Sequence, residues 1–285
     1  MVNWLSETLY PAWEQRFRVD EVLFQEKTAL QDLVILKNEM FGTVMMLDGV
    51  VQLTEKDEFV YHEMLAHVPV FGHGSASRVL IIGGGDGGTL REVLRHRSVT
   101  HVTQVEIDRA VIDMALKYMP GVSAGAYDDP RARIIIADGI RYVAETEDRY
   151  DVILVDSTDP VGPAEGLFTE EFYRNCKRCL TENGILAVQG GVPFLQPEER
   201  TLVNNRMKPS FRCSTSYIIS MATYVGGPMT LGWASDDPSK KTPDLAVLEQ
   251  RYREAGFSTR YYSPAVHIGA FALPPYIAAL ENGPA

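Results

Sequence analysis

At 285 residues, with 45% apolar and 23% charged side chains, the chain has the composition of a globular protein with room for one large domain or two smaller ones. Its net charge of −11 argues against nucleic acid or an anionic membrane as partner and suits a cationic substrate. No apolar run approaches the roughly 18 residues that span a bilayer. Residues 1–13 lack the basic-then-apolar order of a secretory signal, and an odd count of three cysteines points to a reducing, cytoplasmic setting.

In chain order, the first 55 or so residues read as β structure. Phe17, Val19, Val22 and Phe24 sit among polar neighbours, and Leu33-Val34-Ile35-Leu36 and Val44-Met45-Met46-Leu47 are short apolar runs. Asp48-Gly49, just before Val50-Val51, is a hairpin turn signal. A helix is expected from about Thr54, with residues 55–58 in its first turn and its end before Pro69. From Arg78 the rhythm becomes strand, loop, helix. Strands are expected at 79–82, 101–105, 133–136, 151–155 and 184–189, with helices such as 89–96, 109–118 and 169–180 between them. This alternation predicts a largely parallel, doubly wound sheet. The tail adds a helix near 243–255 and strands around 214–221 and 229–235, read as antiparallel additions at one edge.

The strand at 79–82 runs into Gly83-Gly84-Gly85-Asp86-Gly87-Gly88 and then a helical pattern, the arrangement with which α/β proteins cradle a nucleotide-like ligand. A carboxylate among the glycines is unsuited to a phosphate and suits a cation. Asp86 is one of four acids at successive strand ends, with Glu106, Asp138 and Asp156. Ligands bind beyond the carboxyl ends of such strands, and Glu106 lies where a carboxylate grips ribose hydroxyls. Helix capping is the competing reading for any one of these acids. The run Asp156-Ser157-Thr158-Asp159-Pro160-Val161-Gly162-Pro163 sets two carboxylates three residues apart in a rigid loop. It reads either as a capping turn or as a pair that binds an amine and removes its proton. An alkyl ammonium, with a pKa of about 10.4, must lose a proton before its nitrogen can attack.

Together the segments IIGGGDGG (81–88), DGVVQLTEKDEFVYHEM (48–64), YDDPR (127–131), DSTDPVGP (156–163) and FALPP (271–275) strongly resemble the spermidine synthases, the polyamine aminopropyltransferases, and in particular the bacterial putrescine-using type. The resemblance implies a Rossmann-like, methyltransferase-type α/β domain (56–285) behind a small N-terminal β domain (1–55), in a homodimer or homotetramer. It implies transfer of an aminopropyl group from decarboxylated S-adenosylmethionine, a co-substrate, to putrescine, with no cofactor and no metal; the alternatives are cadaverine, agmatine or spermidine as acceptor, or a polyamine-binding module without turnover. By the same resemblance Asp156 accepts the proton. Asp159, Asp86, His62, Tyr61, Tyr224 and Gln189 meet the polyamine. Gln31, Gly83, Gly85, Asp86, Glu106, Asp138, Gly139 and Pro163 hold the decarboxylated S-adenosylmethionine or methylthioadenosine. The stretch 156–168 is expected to act as a lid. One departure stands out: around Tyr224 the chain has Ala222 and Val225 where many relatives carry proline or an aromatic residue, which bears on the choice of acceptor.

Other patterns read as packing. His62 and His67 are five apart, so on a helix they point about 140° apart and do not form a zinc pair. Cys176 and Cys179 fall in a helical pattern with no second pair and read as buried side chains. Phe168 and Phe172 read as a core-facing helix stripe, and the charges at 145–148 as a solvated helix end or loop.

Overall fold

The computed structural model describes residues 3–10, 12–28, 30–160 and 162–281, without the side chains of Thr8 and Pro163. Strands β1 (Asn3–Tyr10) and β2 (Trp13–Val19) form an antiparallel pair. Strands β3 (Glu21–Lys27), β4 (Asp32–Asn38), β5 (Gly42–Leu47) and β6 (Val50–Thr54) form a four-stranded antiparallel sheet in that order. Asp48 (φ 49°) and Gly49 (φ 79°) close the last hairpin, the backbone that an Asp-Gly pair favours.

The main sheet has seven strands in the order β12-β13-β11-β10-β7-β8-β9. Here β7 is Arg78–Gly83, β8 His101–Glu106, β9 Ala132–Ile136, β10 Tyr150–Asp156, β11 Leu180–Gln189, β12 Cys213–Ile219 and β13 Met229–Ser235. Strands β7 to β11 are parallel to one another, and β13 and β12 run antiparallel at the β11 edge, as the sequence predicts. The helices are α1 (Glu58–His73), α2 (Gly88–Leu94), α3 (Arg109–Tyr118), α4 (Pro120–Ser123) and α5 (Gly139–Glu145). Then come α6 (Glu170–Cys179), α7 (Pro197–Met207), α8 (Leu245–Ala255), α9 (Pro264–Ala270) and α10 (Pro275–Leu280). None of the described helices is long and apolar enough to cross a membrane.

The central strands read as unbroken apolar runs because both faces are covered. Val79, Ile81, Val152 and Leu154 join Met64 of α1 and Leu90 of α2 in one core. Leu80, Ile82, Ile153 and Val155 point the other way, into a second core with Val143 of α5 and Phe172 of α6. Cys176 and Cys179 are buried in that second core, and Phe168 joins it from a 3-10 turn (Gly162–Phe168) and not from a helix. The chain steps from β7 outward through β8 to β9, then returns to lay β10 on the other side of β7. This reversal opens a crevice at the carboxyl ends of β7 and β10, where Gly83 and Asp156 are register partners.

Helix α1 departs from expectation at both ends. It starts at Glu58, because residues 55–57 form a turn in which the Thr54 hydroxyl donates to Asp57 (2.6 Å). It also runs through Pro69 to His73 and stops only at Gly74, whose left-handed backbone (φ 83°) lets its N–H reach the Val70 carbonyl. Pro69 removes one helical hydrogen bond, but α1 is buried along almost its whole length, and that packing outweighs the loss. Helices α4, α7, α9 and α10 carry too little apolar periodicity to be read beforehand.

Candidate active site

A cavity of about 370 Å³ occupies the crevice, a size that suits a small organic ligand. The glycine loop forms its floor. A side chain at Gly83 would put its Cβ 2.0 Å from the Asp156 carbonyl oxygen, and one at Gly84 would lie 2.8 Å from Asp156 Oδ2. Both glycines also have positive φ, so no other residue fits this approach of loop to strand. Tyr127 donates from its hydroxyl to the Gly85 carbonyl (2.8 Å), and Gln104 Nε2 donates to the carbonyls of Gly83 and Gly84.

Every site residue singled out in the sequence lines this cavity except Pro163, whose side chain is outside the described residues, as is all of Val161. Asp86 Oδ1 accepts from the Gly88 N–H (2.7 Å) and lies 3.2 Å from His62 Nε2, which leaves Oδ2 for a ligand. On the other side of its ring, His62 Nδ1 is 2.5 Å from Glu58 Oε2, and Glu58 in turn accepts from Arg91 Nη2 (2.9 Å). Burial opposes charge on the His62 ring, but Asp86 and Glu58 outweigh it and hold the imidazole well above its usual range. The result is a row of alternating charge, Arg91, Glu58, His62 and Asp86, that ends at the cavity. With both ring nitrogens engaged, His62 supports Asp86 from behind and has no free nitrogen for an amine. One oxygen of Asp86 lies within 4.8 Å of one of Asp156, and two carboxyls at that spacing suit a cationic ligand.

Asp156 Oδ2 accepts from the Thr89 hydroxyl (2.6 Å). Burial, then the charge of Asp86, push its carboxyl up to about 6, against the pull of His62. The buried Tyr61 hydroxyl faces Asp156, and the Tyr61 and Tyr224 rings meet edge to face with centroids 6.3 Å apart. Tyr224 is anchored by its hydroxyl, which donates to the Gln52 carbonyl. Asp159 Oδ1 accepts from Gln189 Nε2 (2.8 Å), while Gln189 Oε1 accepts from the Gly191 N–H, so Gln189 is tied down as the holder of Asp159.

On the β8 side, Glu106 Oε1 accepts from the Asp108 N–H (2.9 Å), and burial pushes its carboxyl up to about 7. Gln31, in the connection just before β4, reaches in and donates to Asp108 Oδ2 (3.1 Å). Asp138 Oδ1 accepts from the Ile140 N–H (2.8 Å) and caps α5, with Gly139 beside it. Asp138 caps α5, Asp86 Oδ1 accepts from the first N–H of α2, and both residues line the cavity. Sequence reasoning missed Glu58, Arg91, Thr89 and Asp57. Asp57 Oδ2 accepts from both the N–H (3.0 Å) and the hydroxyl (2.8 Å) of Thr223, pinning the loop that carries Tyr224. Of the two departures on that loop, Val225 lines the cavity, whereas Ala222 is exposed and does not.

The Spermine/spermidine synthase domain matches residues 58–244, and the Spermidine synthase tetramerisation domain matches residues 3–55. The chain belongs to the spermine/spermidine synthase family. It is an aminopropyltransferase. It is 52% identical to the polyamine aminopropyltransferase of Pectobacterium carotovorum over 277 residues, 97% of this chain and 96% of that protein. It is 52% identical to polyamine aminopropyltransferase 1 of Pseudomonas aeruginosa over 272 residues, 95% of each chain. Among solved structures, a spermidine synthase in complex with the transition-state analogue AdoDATO superposes with a TM-score of 0.93 at 38% identity, covering 98% of this chain and 95% of that one. Spermidine synthase from Thermotoga maritima gives 0.89 at 37% identity over 98% and 94%.

Proposed function

We propose that the chain moves the aminopropyl group of decarboxylated S-adenosylmethionine to putrescine, giving spermidine and methylthioadenosine. The observation that carries this reading is Asp156, a half-buried carboxyl pushed up to about 6 beside a row of charge that ends on Asp86. The amine nitrogen uses its lone pair to form a bond to the carbon next to the sulfonium. The carbon–sulfur bond breaks, its electrons go to sulfur, and the amine proton passes to Asp156. The thioether leaves neutral and needs neither a general acid nor a metal.

Asp86 Oδ2 takes the terminal ammonium of the donor and repels the carboxylate that ordinary S-adenosylmethionine carries at that place. Glu106 takes the ribose hydroxyls, Asp138 and Gly139 the adenine side, and Gln31 the methylthioadenosine end. The Tyr61 and Tyr224 rings offer faces to the amine chain. The turn Gly162–Phe168, whose Ala164 and Leu167 line the cavity, closes over the reactants. The N-terminal strands assemble the chain into an oligomer, in keeping with the exposed Trp4 and Trp13.

Turnover of purified protein with decarboxylated S-adenosylmethionine and putrescine, cadaverine, agmatine and spermidine in separate reactions tests the reading. Putrescine is expected to be the favoured acceptor. Preference for another amine would keep the chemistry and place acceptor choice at Val225 and its neighbours.

A further inference from the structure

Beside the reacting groups lies a second set of acids for which the transfer itself has no use. Asp159 lines the cavity, and its charge acts on Glu199, in the first turn of α7. Glu199 is only 8% exposed; its Oε2 accepts from Gln196 Nε2 (3.0 Å), while its Oε1 is buried with no hydrogen-bond partner. That free oxygen is next to the cavity wall, since a Cβ on the lining residue Gly191 would come within 2.9 Å of it. Glu7 and Tyr10 from β1, and Tyr173 from α6, face the same group. Among the described residues the hydrogen-bond partners of these acids are neutral: Gln15 and the Val51 N–H for Glu7, Gln189 for Asp159 and Gln196 for Glu199.

Buried carboxyls without a cation are costly, and the free enzyme relieves the cost by holding protons: burial, then Asp159, push Glu199 up to about 8. A diamine acceptor has a second ammonium that stays charged while the first is deprotonated to attack. We propose that Glu199 is a positioning and specificity-determining residue, which backs Asp159 and selects acceptors bearing that second ammonium. The inference rests on the aminopropyl transfer proposed above. Arrival of the ammonium favours the ionised forms of Asp159 and Glu199, so protons they hold pass to solvent and diamine binding is linked to proton release.

Two measurements test it: the ratio of kcat/KM for putrescine to that for 1-aminobutane, and calorimetry of each amine binding to the methylthioadenosine-loaded enzyme in buffers of different ionisation enthalpy. Glu199→Gln is expected to lower the ratio on the order of tenfold through the putrescine KM, because one nearby negative charge is lost. Glu199→Asp, which keeps the charge, is expected to retain most of it. Near neutral pH the wild type is expected to release more protons on binding putrescine than 1-aminobutane, and Glu199→Gln to lose that difference. An unchanged ratio in Glu199→Gln, an equal loss in Glu199→Asp, or no difference in proton release by the wild type would each overturn the inference while leaving the transfer standing. A wild type that aminopropylates no amine would instead remove the proposed function, and the inference with it.

Discussion

Single carboxyls at this site take on different tasks according to what surrounds them. Burial raises both carboxyls, but His62 and the Gly88 N–H outweigh it at Asp86 and hold that group below the usual carboxylate range, whereas burial and the charge of Asp86 push Asp156 up to about 6. That divergence suits Asp86 to holding a cation and Asp156 to taking a proton. Asp156→Asn removes the acceptor for the proton and is expected to lower kcat about 100- to 10,000-fold while methylthioadenosine still binds. Near-normal turnover of that variant would take Asp156 out of the mechanism. The raised carboxyl must be ionised to work, so acceptor kcat/KM is expected to fall as pH drops through about 6. A pH profile with no acid limb there would contradict the assignment. Asp86→Ala is expected to weaken decarboxylated S-adenosylmethionine about tenfold or more, and methylthioadenosine, which lacks the ammonium, far less. Competitive binding measurements decide between that and equal weakening, which would mean that Asp86 does not read the ammonium.

Elements position these residues, and the sequence discloses the elements unevenly. The strand ends were legible because β7 and β10 are apolar runs broken by glycine or acid, and the acids sit where those runs stop. Pairing between residues far apart in the chain was not legible. Nothing in the local pattern of Asp57 signals that it binds Thr223, and Glu58 reads as one more acid in a helix start when it is the middle of a charge row. The burial of α1 also overrode the stop signal at Pro69, because tertiary packing decides when a local rule costs only a hydrogen bond. Asp57→Ala leaves the amide and hydroxyl of Thr223 and the hydroxyl of Thr54 without their acceptor in a buried place. It is expected to cost about 2–4 kcal/mol of stability. Thermal unfolding and the acceptor KM measured on one preparation check it: both move if Asp57 holds the Tyr224 loop, and stability alone moves if it only packs.

At the scale of the molecule, the doubly wound sheet brings its switch point to the glycine loop, and the N-terminal part of the chain contributes Gln31 and Gln52 to the same cavity. The site therefore depends on both parts of the chain. An acidic surface and an acidic crevice attract polyamines over distance, so acceptor kcat/KM is expected to fall as ionic strength rises. Light scattering of the purified protein is expected to show an oligomer, and charged replacements at the exposed Trp4 and Trp13 to shift it toward smaller species. The most direct test of the account is mass detection of the products formed from decarboxylated S-adenosylmethionine and putrescine. Spermidine and methylthioadenosine are expected in equal amounts, with ordinary S-adenosylmethionine giving neither. Methylthioadenosine without spermidine, or no product with a donor that binds, would contradict it.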